Sequence, residues 1–252
     1  MLGANQRSVR RDVRRRGKLR RYRHRMNLGE LWPLFGLEIR TPRLLLRPVQ
    51  DADLPALVRA ALDGIHDPDR MPFGFPWTDA SPADLPRNLA MHQWSLRQVS
   101  PQSWTIQFAV ILDGTVVGAQ DLAAHAFTDR KTVDSGSWLT KNAQGQGVGT
   151  EMRAALLLFA FDVLGAEWAE SSAAAWNTAS LRVSYKLGYE PNGVTRVAPR
   201  SAQPVDEQRV RLSRKAFNRP TWSITTTGEQ AVLAQLGIIG PQNDAGRAPR
   251  SR

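Results

Sequence analysis

The chain has 252 residues, 42% of them apolar, a formal net charge of +11 and no cysteine. That size supports one substantial core. The absence of cysteine excludes disulfides, thiolate nucleophiles and Cys-based zinc sites, and fits a cytoplasmic protein. No apolar run approaches the ~18–20 residues of a membrane span, so no membrane partner is expected.

The charge is unevenly spread. Residues 1–26, MLGANQRSVRRDVRRRGKLRRYRHRM, hold eleven Arg/Lys against one Asp, which leaves the rest of the chain nearly neutral. An arm this poor in apolar residues cannot offset its ordering entropy and is expected to be disordered. Three readings stand: a solvated tail, an electrostatic tether to nucleic acid or the ribosome, or a segment upstream of a true start at Met26. The basic stretch is not followed by the apolar segment of a secretory signal.

In chain order, TPRLLLRPVQDADLPALVRAAL (41–62) reads as a strand and a helix. Leu44 and Leu46 alternate with Leu45 and Arg47, and Pro48 stops the strand. Asp51 or Asp53 caps a helix carrying Leu54, Leu57 and Ala61. Residues 63–80 are loop-like, and a second helix lies within 81–99. Residues 104–125 form a hairpin about Asp113-Gly114, a dipeptide suited to a type I′ turn. A strand over 132–140 leads to three glycines, at 145, 147 and 149, and then to a helix ended by Gly165. Residues 166–176 are Ala-rich, but their place between two helices argues for a strand. Asn177 caps a short helix that runs to Leu187 and closes at Gly188. Residues 205–217 read as a last strand. Residues 221–236 add a hairpin-like stretch and a small helix. The expected organisation is therefore the arm 1–26, one domain over 27–218, an extension over 219–240 and a tail over 241–252. The fold class is α+β, or mixed α/β, around one sheet.

A glycine-rich turn entering a helix aims several N–H groups outward, and the helix dipole adds partial positive charge. The implied ligand is a phosphate or pyrophosphate; the plain alternative is a tight turn with nothing bound. A Walker loop requires a Lys that is missing here. A dinucleotide fingerprint requires G-x-G-x-x-G in a parallel βαβ unit, whereas the spacing here is G-x-G-x-G after a hairpin; Glu167 and Glu170 lie at the right distance for its acidic residue.

The run Gln144-Gly145-Gln146-Gly147-Val148-Gly149 resembles the Q/R-x-x-G-x-G/A acyl-coenzyme A signature of the GCN5-related N-acetyltransferases (GNAT). VDSGSWLT before it, NTASLRVSYKLGYEPNG after it and TPRLLLRPVQDADLPAL near the start resemble the family's other blocks, in order, over about residues 37–217. Within the family the chain resembles the ribosomal-protein serine/alanine N-terminal acetyltransferase group. HDPDRMPF, the PWT…DLP stretch and VDSGSWL resemble an actinobacterial branch that includes a protein succinyltransferase, whose members begin near the WPLF segment.

The resemblance implies one central, mostly antiparallel, twisted sheet flanked by helices. It implies acetyl-CoA or succinyl-CoA as co-substrate, no metal, and direct attack of an amine on the thioester in a ternary complex. Gln144, Gly145, Gln146, Gly147, Val148, Gly149 and Thr150 would cradle the pyrophosphate. Trp138, Leu139 and Thr140 would line the pantetheine arm, and Asn177 would contact coenzyme A or serve only as a helix cap. Ser180 matches the serine proposed as general acid, with an ordinary first-turn serine as the alternative. The family tyrosine seven residues past the asparagine is out of register: Ser184 stands there and Tyr185 follows.

The attacking amine must lose a proton, since an α-amino group has a pKa of about 7.7–8.0. Asp134 and Glu170 are the candidate bases, with exposed or paired carboxylates as the alternative; His66 and His125 are weaker candidates. Residues 51–90 hold seven Asp and three Arg, an acidic rim that would favour a cationic acceptor such as a peptide N-terminus or a lysine. Phe73, Phe75 and Trp77 either line a pocket there or form core. Two rival functions stay open: a catalytically silent coenzyme A-binding protein, and an acetyltransferase of small-molecule amines. A homo-oligomer is compatible with all of these.

Overall fold

The structure is a computed structural model that describes residues 27–240. The basic arm, the start at Met26 and the tail from 241 lie outside the described residues. Asn27 opens a short helix, α1 (Leu28–Leu31), by accepting the Glu30 N–H at 2.9 Å. Strands β1 (Glu38–Arg40) and β2 (Leu44–Pro48) follow, then helices α2 (Leu54–Leu62) and α3 (Leu85–Ser95). Strands β3 (Ser103–Leu112) and β4 (Thr115–His125) form the expected hairpin. Asp113 (φ 49) and Gly114 (φ 76) both take the left-handed backbone of a type I′ turn.

A short helix α4 (Phe127–Arg130) precedes β5 (Thr132–Asp134) and β6 (Ser137–Leu139). The expected single strand over 132–140 is thus broken at Ser135-Gly136. Helix α5 (Val148–Leu158) continues as a π-helical segment, Phe159–Leu164, and stops at Gly165 (φ 77). Then come β7 (Trp168–Ala174), α6 (Thr178–Lys186), β8 (Glu190–Arg200), β9 (Gln203–Ser213), β10 (Thr225–Thr227) and α7 (Glu229–Gln235). The Ala-rich stretch is indeed a strand. β1 and β8 are strands that the sequence reading did not assign, and the hairpin-like stretch expected within 221–236 is the single strand β10, paired with β1.

All ten strands form one sheet in the order β10–β1–β2–β3–β4–β5–β7–β9–β8, with β6 also on β4. Every pairing is antiparallel except β5–β7, which is parallel. Helix α5 is buried on all sides, and with α6 and α7 it covers one face of the sheet. Helices α2 and α3 cover part of the other. Residues 219–240 belong to the same core: Val232, Leu233 and Leu236 of the α7 region are buried in it. Among the described residues no helix is long and apolar enough to cross a membrane.

The sheet divides at one place. β5 pairs with β7 through Asp134↔Glu170, and the Ser135 N–H still donates to the Glu170 carbonyl at 3.1 Å. Beyond it, β6 stays on β4 (Ala119↔Trp138), while β7 runs on beside β9 alone. A gap therefore opens between β6 and β7, with its apex at Ser135-Gly136. Gly118 fixes the near wall. A Cβ at that position would lie 2.2 Å from the Trp138 carbonyl oxygen and 2.9 Å from Leu139 Cα, so only glycine lets β4 and β6 approach this closely.

Candidate active site

Helix α5 starts after β6 and helix α6 after β7, so two helix N-termini flank the open mouth of the gap. At the first, Gly145 (φ 74) and Gly147 (φ 79) adopt left-handed backbones, and Gly147 caps α5. The N–H groups of Gly145, Gln146, Gly147, Val148 and Gly149 meet no backbone carbonyl among the described residues. Gly149 is helical; a Cβ there would make ordinary contacts with Leu139 (3.8 Å) and Val183 (3.9 Å). The Gln144 side chain braces the loop from beneath, its Nε2 donating to the carbonyls of Ile65 (2.7 Å) and Leu139 (2.8 Å). Gln146 Nε2 donates to the Asn142 carbonyl at 2.6 Å. The Thr150 N–H turns back to the Gly147 carbonyl at 3.1 Å.

A cation that the sequence reading passed over stands beside this loop. Arg43 is gripped by Glu151 (Nε to Oε2, 2.7 Å) and donates to the Gln146 carbonyl at 3.3 Å. Its Nη2 lies 3.5 Å from where a Gly147 Cβ would be. Such a place suits an anion: unspent N–H groups, a helix dipole and a guanidinium converge.

The gap edge of β6 follows from ladder alternation. The Thr140 N–H donates to the Val117 carbonyl (2.9 Å) and the Asp121 N–H to the Gly136 carbonyl (2.8 Å). The backbone groups of 136, 138 and 140 thus face β4, and those of Ser137 and Leu139 face the gap. The Leu139 carbonyl is taken by Gln144, which leaves its N–H and both Ser137 groups toward the opening. Trp138 sends its side chain to the α2–α3 face, packing at a tilt against Trp77 (5.7 Å), which in turn meets Phe73 (5.2 Å). Phe75 is exposed.

Two polar clusters lie on opposite faces at the apex. On the α5 face, Arg153 is 4% exposed and reaches three strands. Its Nη1 donates to Ser171 Oγ (3.3 Å) and its Nη2 to Ser137 Oγ (3.4 Å). With the Gln120 amide oriented to satisfy its neighbours, Arg153 Nε donates to the Gln120 oxygen at 3.2 Å. Ser135 Oγ and the Tyr189 hydroxyl are buried against each other and against this guanidinium, in contacts looser than ordinary hydrogen-bond geometry.

On the other face, Asp134 and Glu170 are ladder neighbours, so the structure brings the two expected carboxylates together. They line a cleft of about 300 Å³ that also takes in Thr105, His125 and Arg130. Protein crowding and the negative charge of Glu170 push the Asp134 carboxyl above the usual range. A third carboxyl, absent from the sequence reading, completes the group. Asp121 stands opposite Gly136 at the apex and accepts from Gln107 Nε2 at 2.6 Å; Gln107 in turn accepts from Gln93 of α3. Burial pushes Asp121 up to about 6, with a further push from Asp134. The signal was available: Gln120 and Asp121 are adjacent polar residues in an apolar strand, so one must point to each face.

At the second helix, Asn177 caps α6, its Oδ1 accepting the Ser180 N–H at 3.2 Å. The Ser180 hydroxyl makes no hydrogen bond among the described residues. The 63–80 loop is less acidic in effect than its composition. Of the Asp residues in 51–90, Asp51 pairs with Arg97, Asp53 with Arg47, Asp79 with Arg200 and Asp84 with Arg87. His66 bonds Thr78 Oγ1 at 2.7 Å, within the 63–80 loop. Among the described residues no group of three His, Asp or Glu side chains is placed to hold a metal ion.

Comparison with known proteins identifies the family and the fold. The family model described as Acetyltransferase (GNAT) domain matches residues 43–190, more than half of the chain. Similar solved structures include RimJ of Mycobacterium smegmatis in complex with CoA-disulfide (18% identity, TM-score 0.56, covering 81% of this chain and 95% of that one). A GCN5-related N-acetyltransferase from Brucella melitensis matches at 20% identity and TM-score 0.56, over 79% and 85% of the two chains. RimL, a ribosomal L7/L12 alpha-N-protein acetyltransferase in complex with coenzyme A, matches at 18% and TM-score 0.52, over 70% and 97%. At these identities the likeness is one of fold. The family match carries more: the chain belongs to the GNAT acetyltransferase family and carries its acyltransferase fold.

Proposed function

We propose that this GNAT acetyltransferase moves an acyl group from acyl-coenzyme A, acetyl or succinyl, to a protein amine in the cytoplasm, the acceptor being an N-terminus or a lysine. The observation that carries the reading is the gap itself. At its mouth is a glycine loop with unspent N–H groups, along one wall is a strand edge with free amide groups, and at its apex are three carboxyls on the face away from α5. A pyrophosphate fits the loop and Arg43. The amides of a pantetheine arm fit the Ser137 and Leu139 edge.

Bound acyl-coenzyme A supplies the activated thioester; the rest falls to this chain. Residues 145–149 and Arg43 hold the donor's phosphates. The Leu139 N–H faces the gap, where it can donate to an acyl carbonyl. Asp121, Asp134 and Glu170 attract a cationic amine and accept its proton; the Gln93–Gln107 chain orients Asp121 for that step. Ser180, with an unused hydroxyl at the mouth, is placed to return a proton to the leaving sulfur. The likeness to RimL, an alpha-N-protein acetyltransferase, supports a protein amine over a small-molecule one.

The test is thiol release from acetyl- and succinyl-coenzyme A with a panel of N-terminal peptides, lysine peptides and small amines. Turnover with a peptide amine is expected. Tight coenzyme A binding without turnover of either donor would leave a silent binding protein instead. Gly147→Glu is expected to abolish coenzyme A binding by placing a carboxylate in the cradle.

A further inference from the structure

The cleft beside Asp134 and Glu170 runs on past them, away from the gap, and its far end is lined by different chemistry. Strand register sets the layout. Ala123 stands opposite both Thr105 and Asp134, while His125 stands opposite Ser103, two residues further along β4. At about 3.4 Å per residue, the His125 row lies about 7 Å from the row of carboxyls. Between the two rows the lining is small: Ser103, Thr105, Ala123 and Thr132. Arg130 closes the same far end from the β5 side. Both His125 and Arg130 are exposed, and neither side chain has a hydrogen-bond or salt-bridge partner among the described residues. The corner that brings them together is strained. Helix α4 is bracketed by Ala126 (φ 48) and Lys131 (φ 47), both in the left-handed region that residues with a Cβ rarely adopt. Its surroundings enforce that conformation. The Ala126 N–H donates to the Gln102 carbonyl at 2.7 Å, and the Lys131 carbonyl accepts the N–H groups of Glu167 (2.7 Å) and Trp168 (3.1 Å). Phe127 is buried against Trp104. Strain held in this way gathers at ligand sites. Here it sets His125 at the entry and Arg130 at the exit of one turn, both lining one end of the cleft.

We infer that this cleft selects the acceptor by the residue that follows its amine: the peptide N-terminus lies at Asp134 and Glu170, and an acidic side chain on its second residue lies against Arg130 and His125. The inference rests on the protein-amine reading above and names the class of peptide within it. The cleft is bipolar, with carboxylates at one end and a guanidinium with an imidazole at the other. A ligand that satisfies both ends carries a cation and an anion about 7 Å apart. Two residues of extended chain span that distance. A volume of about 300 Å³ is the low end for small-ligand pockets and suits a terminal residue or two rather than a long segment. A free guanidinium pairs with a carboxylate in planar, two-pronged fashion. It gives less to a neutral side chain and repels a basic one. Arg130 and His125 therefore act on which peptide is taken, and the carboxyls on the amine itself.

The experiment is steady-state transfer by the full chain, from whichever of acetyl- or succinyl-coenzyme A it turns over, to three peptides that differ only in a second residue of Glu, Gln or Lys. The Glu peptide is expected to exceed the Gln peptide about three- to fivefold in kcat/KM, carried by KM, which is the scale of an exposed ion pair. The Lys peptide should fall below both. Arg130→Glu should reverse the order and place the Lys peptide first, a change that a merely structural role for Arg130 would not produce. Calorimetry should find the coenzyme A affinity of that variant unchanged, since Arg130 lies at the end of the cleft away from the gap. Equal kcat/KM for the three peptides, or the native order kept in Arg130→Glu, overturns the inference and leaves the protein-amine reading standing. Coenzyme A binding without turnover of any peptide overturns the protein-amine reading, and this inference with it.

Discussion

Above and below the gap, the same three strands present opposite chemistry. On the α5 face they contribute Gln120, Ser135 and Ser171, gathered about one guanidinium in an otherwise apolar core. On the other face they contribute Asp121, Asp134 and Glu170, the last two lining a cleft. Each strand supplies one neighbour to each side: 120 and 121 on β4, 134 and 135 at the end of β5, 170 and 171 on β7. Strand alternation therefore builds two clusters of opposite sign less than a sheet's thickness apart. The difference lies in solvation. The cation is sealed in and fixed by three strands. Asp134 and Glu170 face a cleft where an amine can reach them, with Asp121 buried nearby, and crowding raises the pKa values of the two aspartates toward the range in which a base works.

The largest expected effect comes from destroying both faces at once. Gly118→Val would drive a side chain into the Trp138 carbonyl and Leu139, forcing β6 away from β4. Loss of about 3 kcal/mol or more of stability is expected, within the range for forced backbone shifts. Coenzyme A binding should fall below detection, because β6 carries both the gap edge and the entry to the glycine loop. Thermal unfolding and calorimetry check the two parts separately. Near-native binding in this variant would mean that the gap does not hold the donor.

Asp121→Asn isolates the upper face. If Asp121 accepts the amine proton, kcat/KM falls on the order of 10²-fold and the acid limb of the pH profile near 6 disappears, while coenzyme A affinity is unchanged. Stability should move the other way. Asp121 has a raised folded pKa, so its neutral form is favoured by folding; the contribution is full below the unfolded value of 3.8 and is lost as pH rises through about 6. The asparagine variant escapes that loss. It should match the native protein at pH 4 and exceed it at pH 8, by about 2–3 kcal/mol at most. A native-like rate at pH 8 would assign the base to Asp134 or Glu170.

How much of this was legible depended on whether a residue's task is local. The glycine loop and the helix it opens were readable because three glycines before an apolar helix act through their own backbone. So were the Asp113-Gly114 turn and the Asn177 cap. The gap was only half readable: Asp134 and Glu170, singled out as candidate bases, sit on the two strands that part, but the break at Ser135-Gly136 depends on Gly136 bonding Asp121, a contact across strands. Arg153 was invisible because a lone Arg in an apolar helix pattern reads as its solvent face, and α5 has none. β8 escaped because Pro191, Gly193 and Pro199 disfavour a strand; it survives as the sheet's edge, paired only with β9. The acidic rim misled for a related reason: composition counts charges, but the arginines that neutralise Asp51, Asp53 and Asp79 lie outside or at the far end of the stretch.

The smallest effect sharpens the contrast best, because it touches the upper face alone. Arg200, at the tip of the β8–β9 hairpin, reaches over to the 63–80 loop. Its Nε and Nη2 each bond the Asp79 carboxylate at 2.7 Å, and Nη2 also donates to the Pro68 carbonyl at 2.8 Å. The guanidinium beside Asp79 holds that carboxyl below its usual range. The contact ties the loop that carries Phe73 and Trp77, and through them meets Trp138, to the far edge of the sheet. Arg200→Ala should loosen the loop without disturbing the glycine cradle or Arg153, which approach the gap from elsewhere. The acceptor KM is expected to rise about two- to fivefold, the scale of an exposed ion pair, and to lose its dependence on salt. Coenzyme A affinity should stay at the native value. Steady-state kinetics with the acceptor varied, at low and at high salt, measures the first; calorimetry measures the second. An equal loss in both would show that the loop shapes donor and acceptor sites together, and the separation of the two faces would then hold for charge but not for binding.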